Sequence, residues 1–175
     1  FQSDNGHSTE QRAHFGGGNA GPYRGAKSSL FEGGIRVPAA ITWPNKIQKG
    51  AIRNQFGVNS DWMPTLAELC GIKLDSQDLD GKSLVSILHN ETEKTKHTEG
   101  YCWQYQDMWV ARKGHWKLLG NPRDTSKKTY KLKEKRFLVN LDDDIGETTN
   151  LAKKYPEKVI ELEKQYRNWL KRNSK

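Results

Sequence analysis

A long segment without regular hydrophobic periodicity, residues 6–34, constrains the fold of this chain more than any other feature. It is rich in glycine and polar residues, and it sustains neither the period of a strand nor that of a helix. A loop of this length inside a compact domain is usually functional or disordered. We predict that residues 1–5 form the end of a buried strand and that the apolar run 37–43 forms the next core strand. The first strand would deliver Asp4 and Asn5 to its carboxyl edge, where open α/β sheets bind their ligands.

The composition indicates an ordered chain that is polar for an independent globular unit. Only 34% of the 175 residues are hydrophobic and the mean hydropathy is −0.92, yet there are six Trp, six Tyr and five Phe. Disordered chains are usually poor in aromatic residues. We therefore expect one domain, or a domain fragment with a small subdomain, whose core is partly supplied by chain outside these residues. No apolar run approaches the roughly 20 residues that span a bilayer, so we expect no transmembrane segment.

Positive charge is concentrated between residues 111 and 136, where only Asp124 and Glu134 oppose a run of Lys and Arg. The whole chain carries a formal charge of +8. Such a field can attract nucleic acid, anionic lipid or sulfated glycan. The simplest interpretation is a solvated lysine-rich loop. Because no nucleic-acid-binding motif accompanies the charge, we expect no nucleic-acid partner.

Periodicity predicts helices in the middle of the chain and a small sheet after it. A helix should run from Ser60 or Asp61 to Cys70, with an apolar stripe that includes the Cys70 thiol and faces the core: Trp62, Met63, Leu66, Leu69 and Cys70. A short helix or turn should follow within residues 80–88. The polar residues 90–99 suggest a boundary between a large-domain segment, 1–90, and a small α+β subdomain, 91–175.

The second region has the alternating, aromatic-rich runs of an antiparallel sheet. We predict strands over 101–105, 108–112, 115–119 and 137–141, the second and third joined as a hairpin at Lys113-Gly114. A terminal helix should run from Pro156 to about Arg172 and pack an apolar face on the sheet. The aromatic residues of the first strands suit either a sheet core or a platform for a sugar. The predicted class is α/β, with this small sheet and helix as its C-terminal part.

The residues whose side chains could bind a metal or take part in a reaction lie in and beside the long loop. Asp4 and Asn5 offer hard oxygen donors that suit Ca²⁺ or Mg²⁺. Lys27 offers a compact charge for a tetrahedral oxyanion, and His7 and His14 could contact substrate or donate a proton. Each has a plainer interpretation: an Asp-Asn-Gly turn, a solvated lysine and exposed loop histidines. Glu32 and Arg36 are expected to form an ion pair that holds the Gly33-Gly34 turn.

Short motifs occur along almost the whole chain in a fixed order: Ser3–Gly6, Arg24–Lys27, Glu32–Pro38, Trp43-Pro44, Ser60–Leu66, Asp80–Leu84, Trp116–Leu118 and Asp144–Leu151. In this order and spacing they closely resemble the C-terminal half of type I sulfatases. Ile145-Gly146 departs from the proline spacing that is usual in the last motif, in a turn that is not catalytic in the family.

The resemblance implies the C-terminal part of an alkaline-phosphatase-like sulfatase fold and the hydrolysis of sulfate esters of a small molecule or glycan. The family uses a formylglycine and a divalent cation, usually Ca²⁺. By position, Asp4 and Asn5 match metal ligands and Lys27 matches the lysine that contacts the sulfate group. His7 and His14 have no secure counterpart and are candidate substrate-binding residues. The resemblance also implies a periplasmic, secreted or, in a eukaryote, lysosomal protein.

One part of the family pattern is missing from this chain. The nucleophile motif, Cys or Ser followed by x-Pro/Ala-x-Arg, matches neither Cys70 nor Cys102. We therefore expect the N-terminal half of the same protein as a partner and no activity from the isolated chain. Two alternatives stay open: a phosphoester or phosphonate hydrolase on the same scaffold, and a non-catalytic module that binds acidic glycan through residues 111–136.

Overall fold

The computed structural model describes residues 1–10, 17–75, 79–127 and 131–173. The chain divides into two compact units, one made of residues 1–40 and 100–175 and the other of residues 41–99. The predicted domain boundary near residue 90 stays a prediction. Within the described ranges, no helix is both long and apolar enough to cross a membrane.

The first unit is built on a four-stranded antiparallel sheet in the order β1-β2-β3-β4. The strands are β1 (Tyr101–Tyr105), β2 (Met108–Lys113), β3 (Trp116–Gly120) and β4 (Arg136–Asn140). Each strand pairs with the next along the chain, with Ala111 opposite Leu118 and Leu118 opposite Leu138. The prediction of a small antiparallel sheet in an α/β chain is confirmed, and its strand bounds shift by only one residue.

One face of this sheet is covered by the terminal helix, Pro156–Asn173 (α4, after three short helices described below). Leu162 and Tyr166 are the buried residues of the helix, and Tyr166 stacks on Trp109 of β2 with ring centroids 4.2 Å apart. The Tyr166 hydroxyl donates a hydrogen bond to Gln104 Oε1 at 2.7 Å. Trp109 is 7% exposed and belongs to the sheet core, so it offers no free face to a sugar.

The other face of the sheet is covered by the long loop itself. Leu30 and Phe31 pack in a buried cluster with sheet and post-sheet residues, namely Met108, Val110, Leu119, Phe137, Val139 and Leu141. The Phe31 and Phe137 rings meet edge to face with centroids 5.4 Å apart. Four consecutive residues of β2, 108–111, are buried because both faces of the strand are covered.

The two segments that flank the loop do not form the predicted core strands. They meet in one isolated antiparallel bridge between Gln2 and Ala39. The Ala40 amide donates to the Phe1 carbonyl at 2.8 Å. Phe1 is 87% exposed, which leaves the apolar side chain in solvent. With only one bridge partner among the described residues, these segments lack the neighbouring strands that would bury them.

The second unit contains a 3-10 turn, Asn59–Asp61, and two helices, α2 (Trp62–Leu69) and α3 (Val85–His89). Asp61 is fully buried, and its carboxylate accepts hydrogen bonds from the Val58 and Lys82 amides at 2.8 and 2.7 Å. His97 Nε2 lies 2.9 Å from the same carboxylate. This carboxylate therefore ties three segments of the unit together.

The helix α2 lies where the sequence predicts it, but it buries a different face. Thr65 and Ala67 are its buried residues, whereas Met63 is 60% and Leu66 50% exposed. Cys70 is a free, exposed thiol, so the prediction of a buried one is wrong for this chain. The apolar periodicity identified the helix correctly, but the surface that would cover its stripe is not among the described residues.

Candidate functional site

The Asp4–His7 segment is held against a short helix, Glu32–Ile35 (α1), by very close backbone packing. The Gly6 amide donates to the Gly34 carbonyl at 2.9 Å. A Cβ added to Gly6 would lie 1.9 Å from the Gly33 carbonyl oxygen, closer than any side chain permits. Glycine at position 6 is therefore required for the Asp4-Asn5 pair to sit beside the Gly33-Gly34 turn.

Lys27 is brought to the same place by its backbone. Its amide donates to the His7 carbonyl at 2.9 Å, and its own carbonyl accepts from Thr125 Oγ1 at 2.9 Å. The Lys27 side chain is exposed. The structure thus places the Lys27 backbone next to the segment that carries Asp4 and Asn5.

A shallow cavity of about 290 Å³ opens beside this segment, lined among others by Asp4, Asn5, His7, Asn19 and Arg36. The Nδ1 atom of His7 is buried and has no hydrogen-bond partner among the residues that the structure describes. A buried polar atom without a partner is uncommon in native proteins, and it marks a position where a ligand atom would gain a bond. Lys27 is not among the residues that line this cavity.

The donor atoms of Asp4 and Asn5 fit a hard divalent cation, as part of a larger ligand set. Asp4 Oδ1 accepts from the Asn5 amide at 2.9 Å, and the Asn5 side-chain nitrogen donates to the Gly6 carbonyl at 2.8 Å. That bond uses the amide nitrogen of Asn5, so the side-chain oxygen is the Asn5 atom that could bind a cation. Within the described ranges, no group of three or more His, Cys, Asp or Glu residues could hold a metal. Since Ca²⁺ takes 6–8 oxygen ligands, most would come from elsewhere.

His14 lies outside the described residues, so its suggested role stays a prediction. The roles of Asp4, Asn5, His7 and Lys27 also stay predictions. What the structure adds is their spatial arrangement: His7 and Lys27 share a backbone hydrogen bond, and the three residues Asp4, Asn5 and His7 line one cavity.

Sequence reasoning missed a buried ion triad behind this site. Lys117 of β3 has a fully buried side chain whose Nζ lies 2.8 Å from Glu32 Oε1 and 2.9 Å from Glu147 Oε1. The second oxygen of Glu147 accepts the Glu32 backbone amide at 2.5 Å. The predicted Glu32–Arg36 pair is present at 3.4 Å, but the Arg36 side chain is 43% exposed. Lys117 is therefore the principal partner of Glu32.

The pKa values of the two carboxyl groups in the triad are shifted in opposite directions. Burial is the largest influence on the pKa of Glu32 and would raise it, but the charge and hydrogen bond of Lys117, with the charges of Arg112 and Arg36, together hold this pKa below its usual value. Burial raises the pKa of Glu147, Lys117 opposes the rise, and the Glu32 charge adds to it. The Lys117 ammonium therefore stabilises mainly the charged form of Glu32, and Glu147 is the more easily protonated of the two carboxyl groups.

Much of the basic run is neutralised by the fold. Lys117 is buried in the triad, Arg123 pairs with Asp107, and Arg136 pairs with Glu163. The positive surface that remains in the described part of the run includes the exposed side chains of Lys131, Lys133 and Lys135. The sequence around Lys117, an apolar residue on either side in a predicted strand, does not by itself distinguish a buried lysine from an exposed one.

Residues 24–174 match the family model described as N-sulphoglucosamine sulphohydrolase, C-terminal. The chain belongs to this sulfatase family. Its match begins at Arg24 and includes Lys27, Glu32, Lys117 and Glu147. The resemblance to the C-terminal half of sulfatases is thereby confirmed.

Named relatives of this sulfatase chain are sulfatases as well. It is 31% identical to a sulfatase of Formosa agariphila, over 99% of this chain and 33% of that protein. It is 30% identical to arylsulfatase A of Bos taurus, over 86% of this chain and 32% of that protein. The chain thus spans about a third of the length of these relatives.

A solved structure shares the fold of this sulfatase chain. The crystal structure of Ps i-CgsB in complex with k-i-k-neocarrahexaose superposes with a TM-score of 0.77 and 25% identity. The superposition covers 97% of this chain and 35% of that one.

Proposed function

We propose that this chain is the C-terminal part of an enzyme that hydrolyses sulfate esters of a sulfated carbohydrate. The observation that carries the proposal is the hydrogen bond between the Lys27 amide and the His7 carbonyl, at 2.9 Å. It joins an exposed cation to the segment with two hard oxygen donors, in a chain of the sulfatase family. A sulfated amino sugar in the family name and an oligosaccharide in the related crystal structure support a carbohydrate substrate.

Asp4 and Asn5 would hold a divalent cation, Ca²⁺ or Mg²⁺, through their side-chain oxygens. When bound, such a cation polarises the oxygens of a sulfate group. Lys27 would stabilise the negative charge that the sulfate group carries through its transfer, as a fixed cation does best in a site that excludes water. His7 would donate to or accept from the sugar through its unpartnered Nδ1. His14 would have a similar role from the part of the loop outside the described residues.

The nucleophile would come from the N-terminal half of the same protein, as a formylglycine made from Cys or Ser. The exposed apolar stripe of α2, with Met63 and Leu66 half exposed or more, offers a surface for that half. The length of the relatives, about three times that of this chain, agrees with such a partner. The whole protein would be periplasmic or secreted, or lysosomal in a eukaryote.

The test is an assay of the protein extended upstream of Phe1, with sulfated mono- and oligosaccharides as substrates and sulfate release as the readout. Lys27→Ala should lower kcat/KM about 10²–10³-fold, the usual cost of losing one preorganised stabiliser of developing charge. Lys46→Ala, an exposed lysine of the second unit, is the matched control and should leave the rate unchanged. Equal rates for the two variants, or faster release of phosphate from the matched phosphorylated sugars than of sulfate from the sulfated ones, would overturn the proposal.

A further inference from the structure

The triad connects the candidate site to the sheet through the fold's interior. Lys117 extends from β3, whose residues Leu118 and Leu119 are core residues, and its ammonium contacts Glu32 in the first turn of α1. The next two residues of α1 are Gly33 and Gly34. Gly34 accepts the Gly6 amide, and Gly33 donates to the Arg24 carbonyl at 2.6 Å. Glu32 is thus one residue from the turn against which the Asp4–His7 segment packs.

Glu147 completes the attachment from a third part of the chain. Its carboxylate accepts the Glu32 amide, and its carbonyl accepts Arg24 Nη1 at 2.9 Å. Arg24 in turn bonds Asp124 at 2.8 Å and lies over the Phe31 ring, 4.2 Å from its centroid. Both ends of the Arg24–Glu32 segment, which contains Lys27, are therefore held by buried charges.

A buried triad of this kind contributes little to the free energy of folding, but it can hold the adjoining turn in one conformation. The free energy needed to desolvate a lysine and two glutamates offsets much of their electrostatic attraction. Hydrogen bonds and charges that converge on one turn restrict the arrangements open to that turn. A closely packed backbone at Gly6 leaves no room for an alternative one. The energetics therefore favour a positioning role over a stabilising one.

We propose that Lys117 is a positioning residue for the sulfate site: it acts through Glu32 to fix the turn that aligns Asp4-Asn5 and Lys27. The inference rests on the proposed function only in assigning the site to sulfate. The alignment of the turn by Lys117 concerns this chain alone. Lys117 touches neither the cavity nor the side chain of Lys27, so it is not a catalytic residue.

The test compares Lys117→Met with Lys113→Met in the 175-residue chain by amide hydrogen exchange. Lys113, at the end of β2, forms an exposed ion pair with Glu161 at 3.2 Å, so its replacement removes a lysine without touching the triad. We expect the amides of Gly6, Lys27 and Gly33 to exchange at least about tenfold faster in Lys117→Met. The protected amides between β2 and β3 should keep their rates in both variants, because local opening leaves the sheet intact.

Two results would overturn the proposal: unchanged exchange at all three amides, or an equal acceleration in the site and the sheet, which would mean a loss of global stability alone. If Lys117→Met does not fold, Glu147→Gln decides in the same way, because it keeps the side-chain shape and removes one charge.

A second measurement uses the protein extended upstream of Phe1. Lys117→Met should raise the Ca²⁺ concentration for half-maximal sulfate release about tenfold and lower kcat about tenfold to a hundredfold, as displaced catalytic groups do. Unchanged values of both would also overturn the proposal. If the unsubstituted protein releases no sulfate while the amide result is as expected, the proposed function fails and the alignment by Lys117 stands.

Discussion

The backbone amide of Lys27 donates to the carbonyl of His7 at 2.9 Å, and this bond holds two positions of the long loop that are 20 residues apart side by side. Closing a loop of this length has a modest entropic cost. Burial of Leu30 and Phe31 in the sheet core offsets that cost. The described part of the loop is therefore packed into the fold, and it carries the candidate site against the sheet.

The isolated chain should release no sulfate from aryl sulfates or sulfated sugars and should bind Ca²⁺ weakly. It lacks a nucleophile motif, and Asp4 and Asn5 supply two donors where Ca²⁺ takes 6–8. Isothermal titration with Ca²⁺ and a sulfate-release assay check both statements. Sulfate turnover by the purified chain, free of any longer form, would contradict the first, and tight Ca²⁺ binding would contradict the second.

Gly6→Ala should disrupt the site more than its small size suggests. Its Cβ would meet the Gly33 carbonyl oxygen at 1.9 Å, and backbone cannot yield as a flexible side chain does. We expect a loss of about 1–3 kcal/mol or more in the free energy of unfolding, measured with urea. Gly57→Ala is the control, because its nearest contact would be an ordinary 3.5 Å. Equal stability of the two variants would contradict the packing argument.

Leu66→Ser should have little effect on the stability of the isolated chain, because the Leu66 side chain is 50% exposed. It should weaken assembly with the N-terminal half, where burying a leucine contributes about 1.5–3 kcal/mol. Co-purification of the two halves, expressed separately, measures the effect. Glu68→Ser, an exposed polar position on the same helix, serves as the control. Assembly that tolerates Leu66→Ser as well as Glu68→Ser would mean that α2 is not the contact surface.

Asp124→Asn should remove part of the acid sensitivity of the chain. Burial alone would raise the pKa of Asp124, but hydrogen bonds from Ser126 and Arg24 hold it below its usual value. The unfolded chain, with an Asp pKa near 3.9, then binds more protons at low pH. The contribution of Asp124 to stability is thus present above pH 4 and is lost as the pH falls through the folded pKa.

At pH 7, Asp124→Asn should cost about 1.5–3 kcal/mol, the usual value of hydrogen bonds to a charged group. Urea unfolding at pH 7 and at pH 3 should show a smaller gap in stability for the variant than for the unsubstituted chain. Asp143→Asn, at an exposed position, is the control and should keep the full gap. A gap unaltered by Asp124→Asn would show that its carboxylate does not matter to acid stability.

The periodicity of apolar residues predicted the secondary structure of the C-terminal region and of α2, because local backbone geometry sets both. Alternation of apolar residues located the four strands, and the 3.6-residue period located α2 and α4, to within a residue or two. The same patterns failed for residues 1–5 and 37–43 and for the burial of Cys70, since burial depends on neighbours that periodicity does not reveal.

The sequence by itself determined the family, the small sheet with its helix, and the candidates Asp4, Asn5 and Lys27, because each rests on residue types at short spacing. Only the tertiary structure decided that Lys117 is buried rather than part of a basic surface. Its partner Glu32 lies 85 residues away, and the Glu32–Glu147 hydrogen bond spans 115 residues. A charge becomes buried only where distant chain supplies its counter-charges, and such a meeting follows from packing of the whole unit rather than from any local pattern.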